Sequence, residues 1–95
     1  MLREYETMFI VRPQLTPEEA EGVLNEILNV IQAKGEVVSV DRWGKKQFAY
    51  EIEHQREGYY FVVNFKVPGD YVGELNRRLR INDQVIRHII VRTDE

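Results

Sequence analysis

The chain of 95 residues is 43% hydrophobic and 31% charged, carries a formal charge of −3 and contains no cysteine. A chain of that length buries roughly two-thirds of its unfolded surface, enough for one core but not for a core and a deep catalytic cavity. The lack of cysteine excludes a disulfide scaffold, a thiolate zinc site and thiol redox chemistry.

No apolar run approaches the roughly 20 residues of a membrane span. Arg3, Glu4 and Glu6 interrupt any signal-peptide pattern at the start. The expectation is one soluble, cytoplasmic domain over residues 1–95.

Taken in chain order, Tyr5 to Val11 is rich in aromatic and branched side chains and stops at Arg12-Pro13, which predicts a strand. Thr16-Pro17-Glu18-Glu19 then reads as a helix start: threonine as N-cap, proline in the first position, and Glu19 completing a capping box. Ala20, Val23, Leu24, Ile27, Leu28 and Ile31 follow at helical spacing, and Gly35 is the stop signal.

From Val37 to Val67 two alternating segments flank a cationic, aromatic-rich insert, Trp43-Gly44-Lys45-Lys46-Gln47-Phe48-Ala49-Tyr50. Alternation over that span predicts a hairpin of two half-buried strands, Val38 to Tyr50 with a bend near Gly44, and Tyr59 to Val67. Glu53 to Gly58 is the expected polar turn between them, with His54 a turn residue. Pro68-Gly69 ends the third strand. Asp70 is then expected to cap a second helix, with Val72, Leu75 and Leu79 inward and Arg77, Arg78 and Arg80 solvated. Asn82-Asp83 breaks that helix, and Val85 to Arg92 is the last strand. The order βαββαβ predicts an α+β, ferredoxin-like fold: a four-stranded antiparallel sheet with both helices on one face and the other face open.

Charge is unevenly distributed. Leu15 to Asp41 holds six acids and one base, whereas Arg42 to Arg92 holds ten bases and six acids. Local potential rather than net charge steers a polyanion. Gly58-Tyr59-Tyr60-Phe61 in the third strand superficially resembles the run that forms a base-stacking platform in RNA-recognition motifs. Placing Tyr59, Phe61 and Phe65 outward buries the Asn64 amide. The opposite parity buries four large side chains, Tyr59, Phe61, Val63 and Phe65, at roughly 1.5–3 kcal/mol each. The second parity is favoured, so these rings are core and no stacking platform is expected.

Catalytic patterns are lacking. His54 and His88 are far apart with no nucleophile or ligand-spaced partner near either, and no glycine-rich phosphate loop follows a strand. Arg12 is read as a surface cation. No catalytic residue, metal ligand, cofactor or small-molecule substrate is expected. Lys45 and Lys46 have two readings that spacing leaves open: protection of an exposed sheet edge, or contact with a phosphate backbone beside flat rings.

The sequence resembles the family of the sixth protein of the bacterial small ribosomal subunit over essentially its whole length. Three runs carry the resemblance: Tyr5-Glu6, Trp43-Gly44-Lys45-Lys46-Gln47-Phe48-Ala49-Tyr50-Glu51-Ile52, and Leu79-Arg80-Ile81-Asn82-Asp83 leading into Val85-Ile86-Arg87. It implies a non-catalytic component of the subunit's central domain or platform, binding small-subunit (16S) ribosomal RNA as a heterodimer with the eighteenth small-subunit protein. Lys45 and Lys46 match the family's basic pair, Arg87 its last-strand arginine and Arg3 a basic N-terminal position. With Arg92 these form the expected RNA-contacting set. Met8, Ile10, Tyr60 and Val62, outward on the open sheet, are the expected contacts for the protein partner. The chain departs from the family at Leu2, where a second basic residue is common, at Phe48 in place of leucine, at Glu51 in place of proline, and in lacking a long charged tail. A self-associating or small-molecule regulatory module is the alternative function. A single-strand RNA binder, third, requires Tyr59 and Phe61 on the open face.

Overall fold

The computed structural model describes residues 1–94. The elements run β1 (Leu2–Val11), α1 (Pro17–Gln32), β2 (Glu36–Ile52), β3 (Gln55–Pro68), a single 3-10 turn at Gly69–Tyr71, α2 (Val72–Ile81) and β4 (Val85–Arg92). The strands form one antiparallel sheet in the order β2-β3-β1-β4, the expected βαββαβ arrangement with the first strand near its centre. β1 begins three residues earlier than the side-chain pattern indicated, because Leu2, Arg3 and Glu4 pair with Pro68, Val67 and Lys66.

α1 starts as the sequence dictates. The Thr16 hydroxyl accepts from the Glu19 amide at 3.1 Å, and the Glu19 carboxylate accepts from the Thr16 amide at 2.8 Å. Ala20, Val23, Leu24, Ile27 and Ile31 face inward and join Leu75 and Leu79 of α2 over Phe9, Val11, Tyr59, Phe61, Val63, Phe65 and Val67. All these strand residues are odd-numbered, so one sheet face carries the core and both helices. The parity chosen for β3 is the one observed. Thr7, fully buried on the same face, satisfies its hydroxyl by donating to the Ile89 carbonyl at 2.8 Å. Gly22 lies mid-α1, and a Cβ added there meets no atom within 4 Å. Gly22→Ala is therefore expected to raise stability by about 0.5–1 kcal/mol through lower unfolded-chain entropy, measured as a rise in thermal or urea midpoint.

Two expectations fail. Asp70 does not cap α2: Gly69-Asp70-Tyr71 tightens into the 3-10 turn, and the position before α2 is Tyr71, which makes no side-chain cap. Tyr71 instead donates its hydroxyl to the Val30 carbonyl at 2.8 Å, anchoring α2 to α1. The turn between β2 and β3 is not Glu53 to Gly58 but the two residues Glu53 and His54, with φ of 48° and 66°. Such a left-handed pair matches the right-handed twist of the flanking strands, so Gln55 to Gly58 continue the strand, with Arg56 exposed and Gly58 buried.

β2 is the long edge of the sheet, and its register against β3 slips at Val37/Ser39, Arg42/Gly44 and Gln47/Ile52. The second slip sits beside Gly44, whose φ of 76° is the left-handed conformation that bends the strand, as expected. Bulges of this kind twist an edge away from further pairing.

Candidate nucleic-acid interface

Cross-strand partners share a face, so the register orders the open face into rows. From the end where β1 starts, the rows are Glu36, Lys66 and Glu4; then Ser39, Asn64, Glu6 and Val91; then Asp41, Val62, Met8 and Ile89; then Gly44, Tyr60, Ile10 and Arg87; and finally Lys46 with Gly58. The face is acidic at one end, apolar in the middle and basic at the other.

That ordering divides the expected RNA-contacting residues. Lys46 and Arg87 lie on the open face near the same end, both exposed and, among the described residues, without an ion pair. Lys45 points to the opposite face, where its ammonium sits 5.1 Å from the centre of the Tyr59 ring. Adjacent strand residues alternate sides, so the basic pair straddles the sheet edge. Arg3 and Arg92 also lie on the helix side, as partners of Val67 and Tyr5. Arg92 holds Asp94 at 2.6 Å, and that hydrogen bond, with a second from the Glu4 amide, pulls the Asp94 carboxyl below its usual range.

The four expected protein-contact residues are all on the open face, but two are not accessible. Ile10 is 2% exposed and Val62 is 7% exposed, whereas Met8 and Tyr60 are half-buried. For Ile10 the reason is the β2–β3 arm, which also covers Tyr60: Trp43 stacks on Tyr60 at 5.9 Å and Phe48 meets the same ring edge-on at 5.9 Å. Gly58 leaves the space in which Phe48 approaches Ile10. Between arm and sheet runs an open cleft of about 350 Å³, lined by Met8, Ile10, Tyr60 and Ile89 below, Phe48 and Tyr50 above, and Arg87 at its rim. From sequence Trp43, Phe48 and Tyr50 are flat rings flanking the lysines. Their spacing gave no indication that they lie on the sheet, because the slips in β2 break the alternation.

The other charges are engaged elsewhere. Glu21 of α1 hydrogen-bonds Arg42 at 2.7 Å and raises its pKa. Arg77 and Arg78 both donate to Glu74, pulling its carboxyl down to about 2. Arg12 is not the surface cation expected: it donates to the Asp83 carbonyl, and its Nε is buried without a partner. His88 donates from Nε2 to Asn76 Oδ1, 2.8 Å away, a satisfied strand histidine whose pKa burial pushes down. Tyr59 and Phe61 are buried on the helix side, which removes the single-strand stacking platform. Among the described residues no helix is long and apolar enough to cross a membrane.

A family model described as ribosomal protein S6 matches residues 4–92. The chain is 49% identical to small ribosomal subunit protein bS6 of Carboxydothermus hydrogenoformans, with all of both chains covered. It is 43% identical to the bS6 protein of Heliobacterium modesticaldum, with 99% of each covered. A crystal structure of 30S ribosomal protein S6 from Thermotoga maritima superposes with a TM-score of 0.93 at 34% identity, covering 98% of this chain and 89% of that one. With sheet order, helix placement and full-length similarity in agreement, the chain belongs to the ribosomal protein S6 family, structural components of the small ribosomal subunit and not enzymes.

Proposed function

We propose that the chain binds small-subunit ribosomal RNA through the basic end of its open face, together with the eighteenth small-subunit protein, which covers the apolar middle. As a small-subunit protein it resides in the cytoplasm with the ribosome. The observation that carries the proposal is the placement of Lys46 and Arg87, two exposed cations without an ion pair among the described residues, near one end of a face bordered by an apolar cleft. Uncompensated cations on a relatively flat surface suit a phosphate backbone. The neighbouring half-exposed Met8, Tyr60 and Ile89 suit burial against protein. Phosphate contacts position without specifying sequence, so specificity is assigned to RNA shape and to the co-bound protein. Arg3, Lys45 and Arg92 face the helix side and would serve only RNA that wraps the sheet edge.

The test is a salt-dependent titration against a central-domain ribosomal RNA fragment, with and without the eighteenth protein. Tight binding is expected only when both proteins are present. Lys46→Ala and Arg87→Ala should each lower the salt slope by about one. Lys45→Ala should leave the slope unchanged while losing about 0.5–1 kcal/mol of stability with its ring contact. No binding in either condition would sink the proposal.

A further inference from the structure

We infer that the cleft between the start of α1 and the bend in β2, on the helix side of the sheet, binds a small aromatic carboxylate. Its ring would lie over Tyr59 and Phe61, and its anion would meet Lys45. The inference does not depend on RNA or the protein partner, which are assigned to the opposite face. The cleft holds about 510 Å³, within the range of small-ligand sites. Tyr59, Phe61 and Ala20, all buried, form its floor. Pro17 and Glu21 of α1 and Arg42, Gly44 and Lys45 of β2 line the rest.

The aromatic floor is fixed before a ligand arrives. The Tyr59 hydroxyl donates to the Leu15 carbonyl at 2.8 Å, and Phe61 packs on Phe9 with ring centres 5.4 Å apart. A preorganised floor loses little side-chain freedom on binding. Gly44, with its left-handed φ of 76°, turns β2 aside at the cleft, and a Cβ added there meets no atom within 4 Å. Arg42 of β2 holds Glu21 of α1 at 2.7 Å, which ties together the two elements that flank the site. Charge then selects the ligand. Arg42 and Glu21 neutralise each other, so Lys45 is the cleft's one uncompensated charge among the described residues. Its ammonium lies 5.1 Å from the centre of the Tyr59 ring, so an anion drawn to it arrives at the edge of the aromatic floor. Buried rings beside a single cation suit a flat apolar body that carries one carboxylate.

The experiment titrates the full chain with naphthoate and with its neutral amide, naphthamide, following backbone amides by NMR. Saturable shifts at Ala20, Gly44, Lys45 and Tyr59 are expected, with a dissociation constant of about 1 mM for a ligand of this size. Lys45→Met keeps an apolar stem over the ring and removes the charge. It should bind naphthoate about fivefold more weakly, whereas Lys45→Arg should keep the wild-type affinity. Naphthamide should bind the wild type and Lys45→Met alike. Lys46→Ala, on the opposite face, should leave naphthoate binding unchanged. Shifts that do not saturate, or that fall on open-face residues such as Tyr60, overturn the inference. So does a wild-type chain that binds naphthoate no better than naphthamide, a comparison that needs no variant. Equal affinity of Lys45→Met and the wild type for naphthoate overturns it too, since the cation would then select nothing.

Discussion

Gly35→Ala is expected to cost about 3 kcal/mol or more, read as a large fall in the urea midpoint with an unchanged slope. The residue sits where α1 ends and β2 begins, its amide donating to the Ile31 carbonyl at 2.9 Å. A Cβ built there lies 1.9 Å from the Lys66 carbonyl oxygen and 2.9 Å from a Val67 methyl. Both belong to β3, with Lys66 and Val67 paired to β1 on its other side, so neither strand can retreat alone. Side-chain rotation cannot relieve a clash with a backbone oxygen. The packed sheet must shift as a unit, which is why the cost falls at the upper end for overpacking. A loss below about 1 kcal/mol would show that the α1–β2 junction is plastic.

Gly58→Ala is expected to lose about 1–3 kcal/mol and to lift the β2–β3 arm off the sheet. Its Cβ would meet an Ile10 methyl at 2.5 Å, the Val11 carbonyl at 3.0 Å and the Phe48 ring at 3.3 Å. Phe48, on the arm, is the neighbour with most freedom to leave. Trp43 is the chain's one tryptophan and shares the Tyr60 ring with Phe48, so its fluorescence reports the move. A red shift accompanied by greater exposure of Ile10 to solvent is the anticipated result. An unchanged spectrum in a destabilised protein would mean that the strain is taken up around Val11 instead.

The parts of the fold that could be read from sequence are those whose signals are local. α1 combined a capping box, a first-turn proline and apolar residues at helical spacing, and three independent signals left no competing reading. The parity of β3 followed from weighing four large side chains against one amide, and the core contains all four. The hairpin turn was hidden because Glu53 and His54 adopt left-handed backbone without glycine or asparagine to announce it, and the polar stretch after them imitated a loop. Asp70 was a plausible cap by type, but the compression of Pro68 to Tyr71 into a 3-10 turn depends on where Tyr71 can reach α1.

For the candidate site, the opposite facing of Lys45 and Lys46 was available from strand alternation alone. The burial of Ile10 and Val62 was not. For Ile10 it depends on an arm that folds back through register slips, so Phe48, far away in sequence, decides what the sheet exposes there.

The position of β1 near the middle of the sheet sets a clock on synthesis. Thr7 and Ile89, joined by a hydrogen bond, are 82 residues apart in the chain. At translation rates of 5–20 residues per second, the segment containing Thr7 waits roughly 4–16 s for its β4 neighbour. During that wait one edge of β1 has no strand to pair with, and Phe9, Ile10 and Val11 lack their final cover. Closure of the sheet is thus a long-range event made after nearly all of the fold has been synthesised. Its speed is governed by loop closure, not helix formation.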